Sequence, residues 1–251
     1  MHTHQILAIL FSLVSSAFAA DLDQTLYFAK SDKHETTTVM LIIKDGKVTG
    51  THEWLPTEKD GTHGGISGTI KDGLITVIYS YEQEGAEQSQ EQLYKLKGDT
   101  LLLGEGELVD PGNNGKLKIK DRTQMKFETV LEKLPVLEPK PGSPERKALM
   151  DAMRDPVSKK VGQPVTFTGI PKISGDWASF QGTVATTDGK PAKNVDAQEV
   201  LELEFFALLQ KTEDGGWKIL FSGSSGDISV REEARMKNPK APWPLFQWTE
   251  H

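Results

Sequence analysis

Between Thr36 and Leu134 the chain alternates apolar and polar residues in short runs, a period of two that is typical of β-strands with one buried face. The clearest runs are ETTTVMLIIK, which leads directly into Asp45-Gly46, and LITVIYSYEQ, which follows Asp72-Gly73. Asp-Gly between two such runs predicts a two-residue hairpin, because a type I′ turn requires positive φ at both central residues. This part of the chain therefore predicts a series of β-hairpins.

The same pattern predicts further strands up to the proline-rich segment. These are KVTGTHEWL, ISGTIK, EQLYKL, LLLGEGELV, KLKIK and QMKFETVL. Short connections make neighbouring strands antiparallel, and about eight of them suffice to close an up-and-down barrel without free edges. A flattened β-sandwich would satisfy the same alternation, so it stays open as an alternative to the all-β barrel.

A helical pattern begins after the four prolines that lie within residues 135–144. Ser143 can cap free N–H groups, and proline at the next position fits the first turn of a helix. Gly162 is expected to end the helix, and Pro156 is expected to kink it or to start a second one. The apolar residues with helical spacing are Leu149, Met153, Val157 and Val161.

The last part of the chain predicts a second, smaller sheet. Its expected strands are VTFTGIPKIS, WASFQGTVATT, LELEFFALLQK and WKILFSGSS. A final helix is expected from Ser229, which forms a capping box with Glu232, to the residues before Asn238-Pro239. A helix laid across an antiparallel sheet predicts an α+β domain of cystatin-like or NTF2-like type.

The first twenty residues have the features of a signal peptide. An apolar run at residues 6–14 has the length of a signal-peptide core and is too short to span a bilayer, and Ala17-Phe18-Ala19 supplies a cleavage pattern. We therefore predict a signal peptide at 1–20, a β-barrel domain at 21–135, a proline-rich linker at 136–144 and an α+β domain at 145–251.

The absence of cysteine helps to predict where an exported protein of this kind is located. The chain contains no cysteine, so it forms no disulfides and offers no thiol ligands for a metal. A secreted domain without disulfides must be stabilised by its core alone. We therefore expect a bacterial protein that is periplasmic or secreted.

Charge and motif content exclude several classes of partner. The formal net charge of −7 argues against nucleic acid and against anionic membrane surfaces, which both select for excess Lys and Arg. His52 and His63 do not belong to a set of three or four converging ligands with recognisable spacing, so no metal is expected. No cofactor motif is present, and no stable membrane insertion is expected after signal cleavage.

Two segments resemble known families. The hairpin spacing and YKLKGDTLLLGEGELV resemble small lipocalin-like or avidin-like barrels of secreted bacterial proteins, although the lipocalin Gly-x-Trp is missing from the first strand. ERKALMDAMRDPVSKKVGQPVTF, with SGDWASFQG and GGWKILFSG, is similar to a domain of uncharacterised bacterial envelope proteins. The second resemblance implies an exported α+β domain and carries no reaction with it.

Aromatic residues of the predicted barrel are the candidates for ligand binding, because small barrels hold one ligand at their mouth. The candidates are His52, Trp54, Tyr79, Tyr81 and Tyr94. The alternative is that these side chains fill the barrel as core. In the second domain Asp176 and Asp227 lie beside turns, where they form a possible polar site or cap backbone N–H groups.

Catalytic patterns are missing from the sequence. There is no GxSxG elbow and no SxxK, and the second domain has no Tyr and no His before His251. We therefore predict a non-catalytic protein that binds a small ligand or an envelope or other protein partner. Three alternatives stay open: a carboxylate-based hydrolase or isomerase with an NTF2-like pocket, an inhibitor of a hydrolase such as lysozyme, and a scaffold that docks through the APWPLF tail.

Overall fold

A computed structural model of the chain describes residues 24–83, 86–193, 205–224 and 229–247. The predicted signal peptide and Asp227 lie outside these residues. Strands β1 to β10 are, in order, Gln24–Ser31, Glu35–Lys44, Lys47–Pro56, Thr62–Lys71, Leu74–Gln83, Ala86–Lys97, Thr100–Glu105, Leu108–Val109, Lys116–Ile119 and Lys126–Lys133. Strands β11 to β14 are Val165–Ser174, Trp177–Thr186, Phe205–Lys211 and Trp217–Ser224. The α-helices are α1, Pro144–Val161, and α2, Ser229–Lys237, and the 3₁₀ turns are Arg122–Gln124 and Trp243–Phe246.

The first sheet closes into an antiparallel barrel, as predicted. Its eight barrel strands follow the order β5-β4-β3-β2-β1-β10-β7-β6, and β6 pairs with β5 to complete the ring. Closure excludes the flattened sandwich. The sheet differs from the prediction in three respects: β1 was not among the predicted strands, LLLGEGELV forms two strands, β7 and β8, and β9 pairs with β6 in parallel.

The Asp-Gly hairpins form as the sequence predicts. Asp45 and Gly46 have φ values of 50° and 72°, and Asp72 and Gly73 have φ values of 51° and 75°. Positive φ at both central residues matches the right-handed twist of the flanking strands. These turns fix the register of β2 against β3 and of β4 against β5.

Two glycines let β4 approach β5 closely. A Cβ at Gly64 would lie 1.9 Å from the carbonyl oxygen of Ser80, and a Cβ at Gly68 would lie 2.0 Å from that of Thr76. Glycine inside a strand marks such a close approach between backbones. This close contact holds β5, which carries the candidates Tyr79 and Tyr81, directly against β4.

The second sheet is antiparallel and follows the order β11-β12-β13-β14. Residues of β13 alternate between two cores on the two faces of the sheet. Phe205, Ala207 and Leu209 pack with α1. Phe206 and Leu208 pack with α2 and the C-terminal 3₁₀ turn. Both faces of this sheet are therefore covered. The coarse α+β prediction is confirmed.

Helix α1 begins and ends where the sequence predicts. The Ser143 side chain accepts a hydrogen bond from the Arg146 N–H at 3.2 Å, and Gly162 adopts a left-handed conformation at the C-cap. The helix continues through Pro156 as a single element, so a second helix does not start there. Pro156 is exposed, and its missing donor and its ring therefore face solvent.

The C-terminal aromatic tail packs on its own chain. Trp243, Leu245 and Phe246 are buried, and the latter two belong to the core between the sheet and α2. The hypothesis that this tail docks a larger assembly is therefore not supported, because its apolar side chains already have partners within the chain.

A buried lysine joins segments that are distant in sequence. Lys172 on β11 is only 3% exposed, and its ammonium group donates to the Tyr27 hydroxyl at 2.8 Å and to the Gln247 carbonyl oxygen at 2.5 Å. Burial lowers the pKa of Lys172 to about 8; the nearby Glu138 opposes this effect and Arg231 adds to it. Burial also raises the pKa of Tyr27 well above its usual value.

The chain forms two compact units. One contains Asp32–Thr37 and Leu41–Leu131, and the other contains Leu26–Ser31, Thr38–Met40 and the chain from Glu132 onward. All the residues around Lys172 belong to the second unit. The domain boundaries proposed from the sequence stay predictions.

We expect the stability of the protein to rise between pH 8 and pH 9.5. In this window unfolded Lys172 still binds a proton that the folded side chain has lost, so raising the pH favours folding by about 1.5 kcal/mol. Urea unfolding across this range should show the rise in wild type and its absence in Lys172→Met. Exposed Lys97→Met is the control and should keep the rise; an equal pH slope in Lys172→Met would contradict this explanation.

Candidate functional site

Four of the five predicted barrel residues meet in one stack inside the barrel. The His52 ring lies parallel to that of Tyr79 at 4.8 Å between centroids, and Tyr79 stacks on Tyr81 at 4.7 Å. Tyr94 meets His52 edge to face at 5.9 Å. His52, Tyr79 and Tyr94 are 6%, 3% and 0% exposed, so this deeper part of the interior is filled by side chains.

Trp54 does not belong to this stack. Its indole N–H donates to a carboxylate oxygen of Glu35 at 2.8 Å, and the Lys59 ammonium lies 4.7 Å from the centre of its ring. The sequence grouped Trp54 with the other aromatics because it shares their strand alternation, but its contacts place it among charged groups.

The deep end of the stack is a neutral pair. Nδ1 of His52 and the hydroxyl of Tyr94 share a hydrogen bond of 2.9 Å. Burial lowers the pKa of His52 to about 4 and raises the pKa of Tyr94 well above its usual value. Both rings are therefore uncharged at neutral pH and act as polar core.

Tyr79, in the middle of the stack, is also held in its neutral form. Burial raises the pKa of Tyr79 to about 12, and the neighbouring Tyr81 and Glu53 contribute to the increase. Thr62 lies close enough to offset part of the increase in the pKa of Tyr79, although the Tyr79 hydroxyl has no hydrogen-bond partner among the described residues.

A ladder of three glutamines runs beside the aromatic stack. Gln88, Gln90 and Gln92 alternate along β6, and register places Tyr81 opposite Gln88 and Tyr79 opposite Gln90. The Gln92 amide donates to the Gly104 carbonyl oxygen at 2.8 Å and to that of Leu93 at 3.0 Å. The Gln90 amide donates to Gln92 at 3.4 Å, so the ladder is anchored at its buried end.

The outer end of the ladder opens into a cavity of about 590 Å³. Tyr81, which is half-buried, and Gln88 line it from the inward-facing side of β5 and β6. The other residues that line it are His63, Ser80, Glu82, Glu87, Ser89, Asn114, Gly115 and Lys116. The cavity therefore lies where the filled interior ends, and its walls carry amide, hydroxyl and carboxylate groups.

The possible polar site in the second domain is not assembled by the described residues. Asp176 is exposed in the turn between β11 and β12, where its carbonyl oxygen accepts a hydrogen bond from the Lys211 N–H at 2.8 Å. Asp227 lies outside the described residues. In the described part of the second unit, the charged residue that is buried is Lys172.

Within residues 24–83, 86–193, 205–224 and 229–247, no three His, Cys, Asp or Glu side chains are grouped so that they could hold a metal ion. No helix in the described part of the chain combines the length and apolarity needed to cross a bilayer.

No protein-family model, curated protein or solved structure matches this chain. The geometry of the site is therefore the basis for any statement on function.

The glutamine ladder was missed by sequence reasoning. The predicted strand began at Glu91, whereas β6 begins at Ala86. The run AEQSQ contains no large apolar residue, so its alternation carries no hydrophobic signal. The signal that could have revealed the ladder is that Gln88, Gln90 and Gln92 recur at every second position before Tyr94, so all four side chains lie on the same face of the strand.

The neutral histidine predicts a loss of stability in acid. Unfolded His52 gains a proton below about pH 6.5 while the folded ring stays neutral down to about pH 4, so acid favours unfolding by about 2–3 kcal/mol between pH 7 and pH 4.5. His52→Gln and His52→Phe should both show a smaller fall in unfolding free energy over this range. Exposed His63→Gln is the control; the account fails if all three variants lose stability with acid as steeply as wild type.

Proposed function

We propose that this protein is an exported, non-catalytic binding protein of the bacterial periplasm or cell exterior that holds a small ligand at the mouth of its barrel. The observation that carries the proposal is the cavity of about 590 Å³ beside Tyr81 and Gln88. Ligand sites in small barrels occur at such mouths, with a few polar groups that fix the orientation of the ligand.

The filled interior supports binding at the mouth rather than deep in the barrel. His52, Tyr79 and Tyr94 occupy the space that a lipocalin-like barrel would use for a deeply inserted ligand, and they support Tyr81 from behind. A ring that is already packed on one side loses little conformational freedom when a ligand binds on the other.

The second sheet supports a binding or structural role for the C-terminal part. Leu137 and Ile173 exchange two backbone hydrogen bonds of 2.8 Å, which adds a short extended segment before α1. The resulting order of strand, helix and four strands favours the cystatin-like over the NTF2-like alternative. Coverage of both faces of the sheet also argues against an open NTF2-like pocket for catalysis.

Native mass spectrometry of the protein from its own envelope fraction tests this proposal. We expect a reproducible added mass on wild type and its loss from the double variant Tyr81→Ala with Gln88→Ala. Glu105→Gln, an exposed change on β7, is the matched control and should keep the added mass. Absence of any added mass under gentle conditions, or equal retention by the double variant, would contradict the proposal.

A further inference from the structure

We infer that the cavity at the barrel mouth binds a saccharide, recognised by the ring of Tyr81 and the amide of Gln88. This inference rests on the proposed function and specifies its ligand class. It follows from the composition of the walls, the support of the aromatic ring, and the hydrogen-bonding groups left available at the end of the ladder.

The walls of the cavity do not suit an apolar ligand. None of the residues that line it has an aliphatic side chain. An alkyl chain or sterol placed here would desolvate amide and carboxylate groups without offering them hydrogen bonds, which is costly. A ligand with many hydroxyl groups forms hydrogen bonds to the cavity walls in place of those made by the water molecules that it displaces.

Tyr81 supplies a supported aromatic surface. Its ring packs nearly parallel to Tyr79, with an interplanar angle of 27°, and its hydroxyl lies 3.4 Å from the side-chain oxygens of both Gln88 and Gln90. The ring is thus held in place before any ligand arrives. The C–H face of a sugar ring is apolar and slightly positive, and it complements the negative face of an aromatic ring.

Gln88 supplies hydrogen-bond donors at the cavity. The Gln92 amide donates to the backbone of Leu93 and Gly104, and the Gln90 amide donates to Gln92. The amide nitrogen of Gln88 makes no hydrogen bond to the described part of the protein. Its two N–H groups are therefore available to the oxygens of a bound hydroxylated molecule.

Glu82 and Glu87 also line the cavity, but from the other face of the two strands. They are directly opposite each other on β5 and β6, one position along from Tyr81 and Gln88, so strand alternation directs their side chains away from the Tyr81 ring. The contacts of the sugar are therefore assigned to Tyr81 and Gln88.

A cation is the competing ligand for this cavity, because Glu82 and Glu87 are among the residues that line it. Lys116 lines the same cavity and already contributes a positive charge, and the serine, asparagine and glutamine side chains around it add no further negative charge. This composition favours a neutral ligand with many hydroxyl groups over a polyamine.

NMR titration of the ¹⁵N-labelled protein, purified from the envelope fraction, tests the ligand class. The saccharide probes are glucose, galactose, mannose, N-acetylglucosamine and maltotriose, and the contrasting probes are spermidine and decanoate. We expect at least one saccharide to shift the amide signals of residues 80–82, 87–89 and 114–116, with little change elsewhere. Spermidine and decanoate should leave these signals unchanged.

Variants then assign the contacts. Tyr81→Ala and Gln88→Leu should each weaken saccharide binding about tenfold or more, while Tyr81→Phe, which keeps the ring, should weaken it only about threefold. Glu105→Gln is the control and should bind as wild type does. Dispersed ¹⁵N spectra of each variant show that it is folded.

The failure of this inference can be told apart from the failure of the proposed function. If native mass spectrometry detects a ligand but no saccharide shifts the mouth signals, or if spermidine or decanoate shifts them instead, the saccharide assignment is wrong and the binding function stands. If no ligand is detected and no probe shifts these signals, both are wrong.

Discussion

The pairing of β5 with β6 is the constraint on which the barrel and its site both depend. It runs over ten residue pairs, from Leu74 opposite Lys95 to Gln83 opposite Ala86, and it is the contact that completes the ring of strands. Because side chains alternate across a strand, this register directs tyrosines of one strand and glutamines of the other to the same side. The aromatic stack and the amide ladder are two consequences of one pairing.

Polarity inside the barrel changes along its axis. Along β5 the inward-facing residues change from the buried Ile75 and Val77 to Tyr79 and Tyr81. On β6, Tyr94 lies opposite Ile75 and is followed towards the mouth by the glutamine ladder. Buried polar groups need partners, and His52 and Tyr94 find them in each other while Gln92 finds one in the backbone of β7. The chain of hydrogen bonds ends at the mouth, where the outermost amide faces a cavity instead of another side chain.

Features set by local chemistry could be predicted from the sequence. The Asp-Gly turns, the cap at Ser143 and the glycine at 162 each act within a few residues, and all three form as expected. Strand β1 was missed because its three consecutive buried residues, Leu26, Tyr27 and Phe28, show no alternation. The first half of β6 was missed because it has no large apolar residue, and long-range pairing is what makes both segments strands. The burial of Lys172 was not predictable, since lysine is almost always exposed unless distant groups such as Tyr27 satisfy it.

The central claim is that the barrel interior is filled and that, of Tyr79, Tyr81 and Tyr94, a ligand reaches only Tyr81, at the mouth. Nitration of the native protein with tetranitromethane, followed by peptide mass spectrometry, measures the accessibility of each tyrosine ring directly. The account predicts fast modification of Tyr81, its protection by a bound ligand, and little modification of Tyr79 and Tyr94 until the protein is unfolded. Modification of Tyr94 at the same rate as Tyr81 in the native state would show that the interior is open and would contradict the account.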